Sequence, residues 1–313
     1  MMEFPKPSHN QIYVKVSAIN AGELTLQEKY FVTDPSPGAK QTVPSLSFLI
    51  QHGSTNLVFD GGLRHRPEDY KPSVTQRIKN SLLPYRVTTD AAEFLQTNGL
   101  NPAEVNLIIL SHVHYDHIGD PTTFPNARYV VGSGAIKTMQ GHGPGYEISL
   151  FESDLFNNHE VVELPPVLSS SNQQLISPSL VSQDPNHKWR PLGPFPAALD
   201  FFGDGSLYVI DAPGHMEGHI NVLARIQPKQ WVYLGGDACH DPRILTGEKD
   251  LAVYQDIHGQ DRCAHFDKER AAETVGRIRT LLKPHGEHNF EVILAHDHVW
   301  YAENRYRFFP NHL

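Results

Sequence analysis

One short segment holds four potential metal ligands within six residues: His112, His114, Asp116 and His117. A divalent first-row metal ion takes several nitrogen or oxygen donors at about 2.0–2.2 Å, so such density has a chemical use. On an extended or tightly turned segment, His112 and His114 fall on the same side. Asp116 and His117 then lie further along a turn, where they can reach a second metal. Crowding so many ionisable groups together without a metal is costly, so the pattern favours a metal centre over a solvated loop or hydrogen-bonded core histidines.

Further potential ligands stand just after predicted strands. Short apolar runs over residues 105–110, 207–210, 231–234 and 291–294 are each followed within a few residues by such a side chain, in order His112, His215, Asp237 and His296. Loops at strand ends can converge on one edge of a layered sheet, where α/β proteins usually place their sites. We therefore expect one metal centre at a sheet edge.

The remaining pattern indicates strands and helices along most of the chain. Alternation over residues 11–31 predicts two strands joined by a turn at Gly22, and residues 45–50 and 55–59 are typical of a hairpin. Helices are predicted over residues 74–82, 133–139 and 267–282, and over residues 89–97 with Thr88 or Thr89 as the N-cap. Residues 164–196 have the composition of a long irregular insertion, a lid or binding loop, within a single domain of residues 1–313.

Composition and charge indicate which kinds of partner and which cellular location to expect. The 313 residues suffice for a sizeable core, and the formal net charge of -9 argues against a nucleic-acid partner. No stretch approaches about 18 uninterrupted apolar residues, so no membrane span is expected. Residues 1–10 lack a signal-peptide pattern, and the two cysteines, Cys239 and Cys263, form no disulfide framework. We predict a reduced, cytoplasmic protein.

The run SHVHYDHIGD resembles the His-x-His-x-Asp-His signature of the metallo-β-lactamase superfamily. Later segments are similar to further motifs of that family, in the family's order: Asp60-Gly61-Gly62, Pro213-Gly214-His215, Gly236-Asp237 and Ala295-His296-Asp297. The resemblance runs from about Ser45 to His298. It implies an α/β fold, an αββα sandwich of two mixed β-sheets flanked by helices.

The resemblance also implies a role for each ligand. The first metal is expected on His112, His114 and His215, and the second on Asp116, His117 and His296. Asp237 is expected to bridge the two. The implied cofactors are two Zn²⁺ ions, with Mn²⁺, Co²⁺ or Fe²⁺ as alternatives.

Within the superfamily the sequence is most similar to the N-acyl homoserine lactonase branch and its fungal-type lactonase and thioesterase relatives. Bacterial members carry a tyrosine three residues after the bridging Asp, and here that position is His240. An imidazole can still donate a hydrogen bond to the substrate, which would make His240 catalytic, or it can be a structural neighbour of the metal ligands.

The function expected from this resemblance is hydrolysis of a carboxylic ester bond, and a lactone is the leading candidate substrate. A metal-bridging hydroxide would attack the carbonyl, with Asp116 as the proton shuttle. The alternatives are a thioesterase that releases a polyketide from an acyl carrier protein, a phosphodiesterase, and an iron-dependent redox protein.

Several other residues receive a structural interpretation. Asp60 is expected to shape a turn beside the ligands, and His142, His258 and His265 have no motif context and are predicted to be ordinary surface or loop histidines. A cluster of cationic side chains is a possible docking patch for an acidic carrier protein, although a solvated face is the preferred interpretation: Arg64, His65, Arg66, Lys71, Arg77, Lys79 and Arg86.

Overall fold

Two β-sheets packed face to face form the centre of the molecule in the computed structural model, which describes residues 4–141, 151, 159–167 and 188–313. The strands in chain order are β1 Lys15–Gln27, β2 Lys40–His52, β3 Thr55–Phe59, β4 Val105–Ile109, β5 Arg128–Val131, β6 Val161–Glu163, β7 Arg190–Leu192, β8 Phe195–Asp200, β9 Leu207–Asp211, β10 Ile220–Gln227, β11 Gln230–Leu234, β12 Tyr254–Gln255, β13 Asp261–Arg262 and β14 Asn289–Ile293. The helices are α1 Pro72–Ser81, α2 Ala91–Thr97, α3 Tyr115–Ile118, α4 Ala135–Met139, α5 Pro242–Thr246, α6 Lys268–Leu281 and α7 His298–Glu303.

Each sheet mixes parallel and antiparallel neighbours. The first runs β1-β2-β3-β4-β5-β6, antiparallel from β1 to β3 and parallel from β3 to β6. The second runs β14-β11-β10-β9-β8-β7, and only its β14-β11 pair is parallel. The strands β12 and β13 form a separate small hairpin.

Successive side chains along each strand point to opposite faces of the sheet, and this alternation produces the layers of the fold. On β3, Leu57 faces the core between the sheets while Val58 faces a second core, which includes Leu95 of α2. On β9, Val209 faces the core between the sheets and Ile210 a third core, which includes helix α6. A period of two therefore buries both faces of each sheet, one on the other sheet and one on helices. The predicted αββα sandwich is confirmed.

The prediction of two strands in residues 11–31 is wrong. One strand, β1, pairs with β2 over its full length, from Lys15 opposite Gln51 to Gln27 opposite Lys40. Gly22 lies in a register shift, at a φ of 101°, and a Cβ there would lie 2.7 Å from Cγ2 of Val87. The glycine makes a bulge and not a reversal, because the equally long β2 offers pairing on both sides of it.

Two other predictions need adjustment. Helix α2 begins after Asp90, whose carboxylate accepts from the N–H of Glu93 in a capping box, so neither Thr88 nor Thr89 is the cap. The segment 164–196 is not irregular to its end, since β7 and the start of β8 lie within it. Residues 168–187 of that segment, and His142, lie outside the described residues. The single domain stays a prediction. In the part of the chain that the structure describes, every helix is too short or too polar to cross a membrane.

The topology brings the ligand-bearing loops together. Strands β9, β11 and β14 point the same way in the second sheet, so the loops after them leave from one edge. Backbone hydrogen bonds join the two sheets there: Leu46 N–H donates to Ala295 O at 2.9 Å, and Ile220 N–H to Ser111 O at 2.8 Å. The loop after β4 in the first sheet is thereby fixed against the loops of the second.

Candidate metal centre

Three imidazoles converge after β4 and β9. Nε2 of His112 lies 2.8 Å from Nδ1 of His114 and 3.2 Å from Nε2 of His215, and the last two atoms lie 3.1 Å apart. Together with Asp237 they form one group of potential ligand atoms, here called the first ligand group. His112 and His215 are buried, whereas His114 is half-buried.

A second ligand group lies on the other side of Asp237. It consists of Asp116 and His117, in helix α3, and His296, which follows β14. Nε2 of His296 lies 3.7 Å from Oδ2 of Asp116. All three residues are buried.

Asp237 lies between the two groups and turns one oxygen to each. Its Oδ2 lies 3.6 Å from Nε2 of His112 and 3.5 Å from Nε2 of His215. Its Oδ1 lies 3.3 Å from Nε2 of both His117 and His296. The seven residues predicted from the sequence are thus brought together, with the carboxylate in the bridging position.

The donor set fits two cations. Donor atoms bonded to one cation at about 2.0–2.2 Å lie roughly 3–3.6 Å apart, close to the 2.8–3.7 Å found between donors here. Nε2 of His117 and Oδ1 of Asp237 are buried without a hydrogen-bond partner among the described residues, although both are strong polar atoms. A cation between them would satisfy both, so these His/Asp clusters suit a dinuclear metal site.

The electrostatics keep the imidazoles of the first ligand group in the state that a metal needs, whereas in the second group, against the effect of burial, Asp237 raises the pKa of His117 and His296. Burial holds the pKa of His112 and His215 well below the usual value and lowers the pKa of His114 to about 4. Burial acts to raise the pKa of Asp237, but the surrounding imidazoles hold it well below its usual range. Neutral imidazoles and an ionised carboxylate are the forms that coordinate metal.

Asp60 supports the loop after β4, as its position in a turn predicts. It has a φ of 60°, and its Oδ1 accepts from Ser111 N–H at 2.7 Å. Its Oδ2 accepts from the Ser111 hydroxyl at 2.8 Å and lies 2.9 Å from Nδ1 of His117. The buried carboxylate of Asp60 therefore fixes Nδ1 of His117, and Nε2 on the other side of the ring faces Asp237.

The loop after β11 needs a residue without a side chain next to Asp237. Gly236 has a φ of 47°, and a Cβ on it would lie 2.8 Å from the Cβ of Ser111. Because Ser111 also belongs to the loop after β4, this close approach sets the distance between the two ligand loops.

The comparison with known families rests on the same segments. The family described as "Metallo-beta-lactamase superfamily" matches residues 41–235, which include Asp60, the loop after β4 and His215. The chain belongs to the metallo-β-lactamase superfamily. The predicted resemblance to its N-acyl homoserine lactonase branch is also confirmed.

Two fungal relatives illustrate the superfamily among curated proteins. The chain is 34% identical over 253 residues to the cytochrome P450 monooxygenase mpaDE of Penicillium brevicompactum, covering 78% of this chain and 27% of that protein. It is 32% identical over 205 residues to the Gamma-lactamase FDB1 of Fusarium pseudograminearum, covering 63% of this chain and 45% of that protein. The chain therefore spans less than half the length of either relative.

A solved structure shows the same superfamily fold along the whole chain. It is an N-acyl homoserine lactone hydrolase with the product N-hexanoyl-L-homoserine bound at its catalytic metal center. The TM-score is 0.65 at 18% identity, and the match covers 97% of this chain and 100% of that one. At this identity the likeness establishes the fold.

His240 lies against the bridging carboxylate of this superfamily member. Its Nε2 is 3.1 Å from Oδ2 of Asp237, and its ring packs on Phe31 with centroids 4.5 Å apart. At this distance Nε2 can donate a hydrogen bond to the carboxylate, which only accepts. His240 also lines a small cavity whose other lining residues are Leu26, Glu28, Phe31, Gln41, Val43 and Asp241.

His265 is one residue whose place at the site sequence reasoning missed. It lies in a loop, as predicted, but not at the surface: it is buried, and its ring lies 5.1 Å from that of His215 and 5.3 Å from that of His240. It has no motif spacing, and only tertiary structure brings it to the first ligand group. His258, by contrast, is exposed, as expected.

Part of the cationic cluster on and around α1 is paired with acidic side chains. Arg64 is buried, and its Nε donates to Gly119 O at 2.9 Å, so it belongs to no surface patch. Other members are also engaged, in these pairs: His65 with Glu93, Arg66 with Asp69, Lys79 with Glu68, and Lys71 with the carbonyl of Phe151. The interpretation as a solvated, salt-bridged face describes this surface better than a docking patch.

Proposed function

We propose that the protein is a dinuclear metal-dependent hydrolase of carboxylic ester bonds, with lactones as the leading substrate class. The observation that carries the proposal is the orientation of Asp237, whose two oxygens face two separate groups of potential ligands. A structural site for one ion needs no such second group. We take zinc as the metal, with manganese, cobalt or iron as alternatives.

The seven side chains divide the work of holding the cations. His112, His114 and His215 hold the first, and Asp116, His117 and His296 the second, with Asp237 shared. When bound, such a pair lowers the pKa of water and polarises a carbonyl oxygen.

Asp116 serves as the proton carrier. Its carboxylate belongs to the second ligand group and has one oxygen near Nε2 of His296. In this position it takes the proton of the attacking water and returns it to the leaving oxygen once the ester bond breaks. The alkoxide of an opened lactone stays on the same molecule as the new carboxylate, so a single carrier next to both suffices.

We assign to His240 the role of holding the carboxylate of Asp237. Its Nε2 lies 3.1 Å from Oδ2 of Asp237, close enough for a hydrogen bond that restricts the rotation of that carboxylate.

Two other substrate classes are weighed against lactones. Three side chains of the cationic cluster around α1 already pair with acidic residues, which makes it a weaker docking surface for an acidic acyl carrier protein and counts against the thioesterase. A γ-lactam is the second candidate, since one relative is named a Gamma-lactamase.

Both cysteines are free, in keeping with the proposed cytoplasmic location.

A substrate panel with metal analysis tests the proposal. Purified protein would be assayed on γ-lactones, γ-lactams, aryl esters and acyl thioesters, with elemental analysis of the same batch. We expect about two equivalents of metal and the highest kcat/KM on a lactone. Protein that holds two equivalents but prefers the lactam would establish the second candidate, and protein that retains no transition metal after loading would contradict the proposal.

A further inference from the structure

Three imidazoles form a nearly equilateral triangle at the edge of the first ligand group. The ring centroids of His215, His240 and His265 lie 5.1, 5.2 and 5.3 Å apart, with the planes inclined by 61° to 76°. His215 belongs to the first ligand group and His240 donates to Asp237. His265 is the third member and contacts both.

The backbone holds His265 firmly in this position. Phe266 N–H donates to the carbonyl of His215 and Asp267 N–H to that of Gly214, both at 2.9 Å. Gly214, at a φ of 127°, comes so near to α6 that a Cβ on it would lie 2.1 Å from the backbone nitrogen of Ala271. The segment that carries His265 is therefore bonded to the backbone of a ligand residue itself.

The hydrogen-bonding capacity of the triangle is complementary. The Nδ1 atoms of His215, His240 and His265 are all buried without a hydrogen-bond partner among the described residues. His215 presents the lone pair of Nε2 to the first group, so its Nδ1 is a donor. His240 donates through Nε2, so its Nδ1 is an acceptor. The ring of His265 thus lies beside one donor, Nδ1 of His215, and one acceptor, Nδ1 of His240. Its own Nδ1 can complement either of them, depending on which nitrogen of His265 carries the proton.

We propose that His265 is a positioning residue of the first ligand group, and that one water hydrogen-bonded to the Nδ1 atoms of His215, His240 and His265 links the three rings. The link fixes the direction in which His215 presents Nε2. This inference rests on the proposed function, because it assumes that the first ligand group holds a cation. Hydrogen bonds to the outer nitrogen of a ligating histidine commonly change metal affinity by about 10–100-fold.

The test separates the hydrogen bonds from the packing of the ring. His265→Phe keeps a ring of similar size and removes Nδ1, and His265→Asn restores a short polar side chain. His258→Phe is the matched control, since it makes the same change at an exposed histidine. The two stepwise affinities for Co²⁺ would be measured by chelator competition, with the visible spectrum of the bound cobalt recorded. Anomalous diffraction on partly loaded crystals assigns each step to a ligand group.

We expect His265→Phe to weaken cobalt at the first ligand group about 10–100-fold and to shift its visible bands, while the second group keeps its affinity. His265→Asn should recover most of the loss, and His258→Phe should match the wild type. A folded His265→Phe protein with both wild-type affinities and an unchanged spectrum would overturn the inference. Wild-type protein that binds no cobalt would instead overturn the proposed function.

Discussion

The two ligand groups differ in how their imidazoles are supported from behind. In the second group, Nδ1 of His117 lies 2.9 Å from a carboxylate oxygen of Asp60, and Nδ1 of His296 lies 2.7 Å from Pro44 O. In the first group, Nδ1 of His112 lies 2.9 Å from the hydroxyl of Ser111, but Nδ1 of His215 has no such partner among the described residues, and His114 turns its Nδ1 inward. Buried protein groups thus orient both imidazoles of the second group but only one of the three imidazoles of the first. We expect the second group to bind its cation more tightly.

The difference follows from which elements carry each group. Pro44 lies in β2 and Asp60 just after β3, so strands of the first sheet support the second group directly. The side chain of Ser45 also donates to the carbonyl of Asp116. His215 lies instead in the loop between β9 and β10, where its neighbours come from other loops.

Substitution of Asp237 by Ala removes what the two groups share, and we expect the largest effect from it. Both cations lose a ligand, so metal content should fall below one equivalent. Loss of several kcal/mol of charge stabilisation should reduce kcat/KM by at least about 1000-fold. Elemental analysis and lactone assays check this, with Asp250→Asn, a change at an exposed carboxylate, as the control. Full activity with two metals would remove Asp237 from the centre.

Asp60→Asn tests the supported group alone. Asn tolerates the positive φ of Asp60, but its amide cannot accept all three hydrogen bonds from Ser111 and His117. We expect the affinity of the second group to fall about 10–100-fold and that of the first group to stay unchanged. Stepwise metal titration measures both. An equal loss in the two groups would show that their supports are not separate.

His240→Phe tests the first ligand group, and we expect a smaller effect on kcat/KM than from the substitution of Asp237. It removes the hydrogen bond to Asp237 and keeps the packing against Phe31. Hydrogen bonds to charged groups contribute about 1.5–3 kcal/mol, so we expect kcat/KM to drop at least about tenfold with two metals retained. His240→Tyr, which restores a donor, should recover part of the activity. A His240→Phe protein as active as the wild type would make the residue dispensable.

Asp90 lies outside both ligand groups, so Asp90→Ala should leave the metal affinities of both groups at the wild-type values. It removes the N-cap of α2, where the carboxylate accepts from Glu93 N–H at 2.9 Å. We expect the free energy of unfolding to fall by about 1 kcal/mol. Chemical denaturation measures this, and unchanged metal affinities would show that effects at the centre do not arise from general loss of stability.

The ligands could be predicted from the sequence because their chemistry is recorded in local spacing. The segment from His112 to His117 concentrates donors, and His215, Asp237 and His296 each follow an apolar strand. The alternation of Leu57 and Val58 likewise predicts a strand buried on both faces. These features depend on neighbours within a few residues.

The features that sequence reasoning missed depend on contacts between distant segments. His265 reaches the centre because Phe266 bonds to the backbone of His215, some 50 residues earlier. Gly22 makes a bulge because β2 pairs on both sides of it, and Arg64 is buried because its partner carbonyl belongs to Gly119. No local pattern records any of these three contacts.

Anomalous diffraction at the zinc edge, on crystals of zinc-loaded protein, tests the central claim most directly. We expect two peaks, one in each ligand group, with one oxygen of Asp237 about 2.0–2.2 Å from each. A single peak, or peaks that lie away from Asp237, would contradict the dinuclear centre.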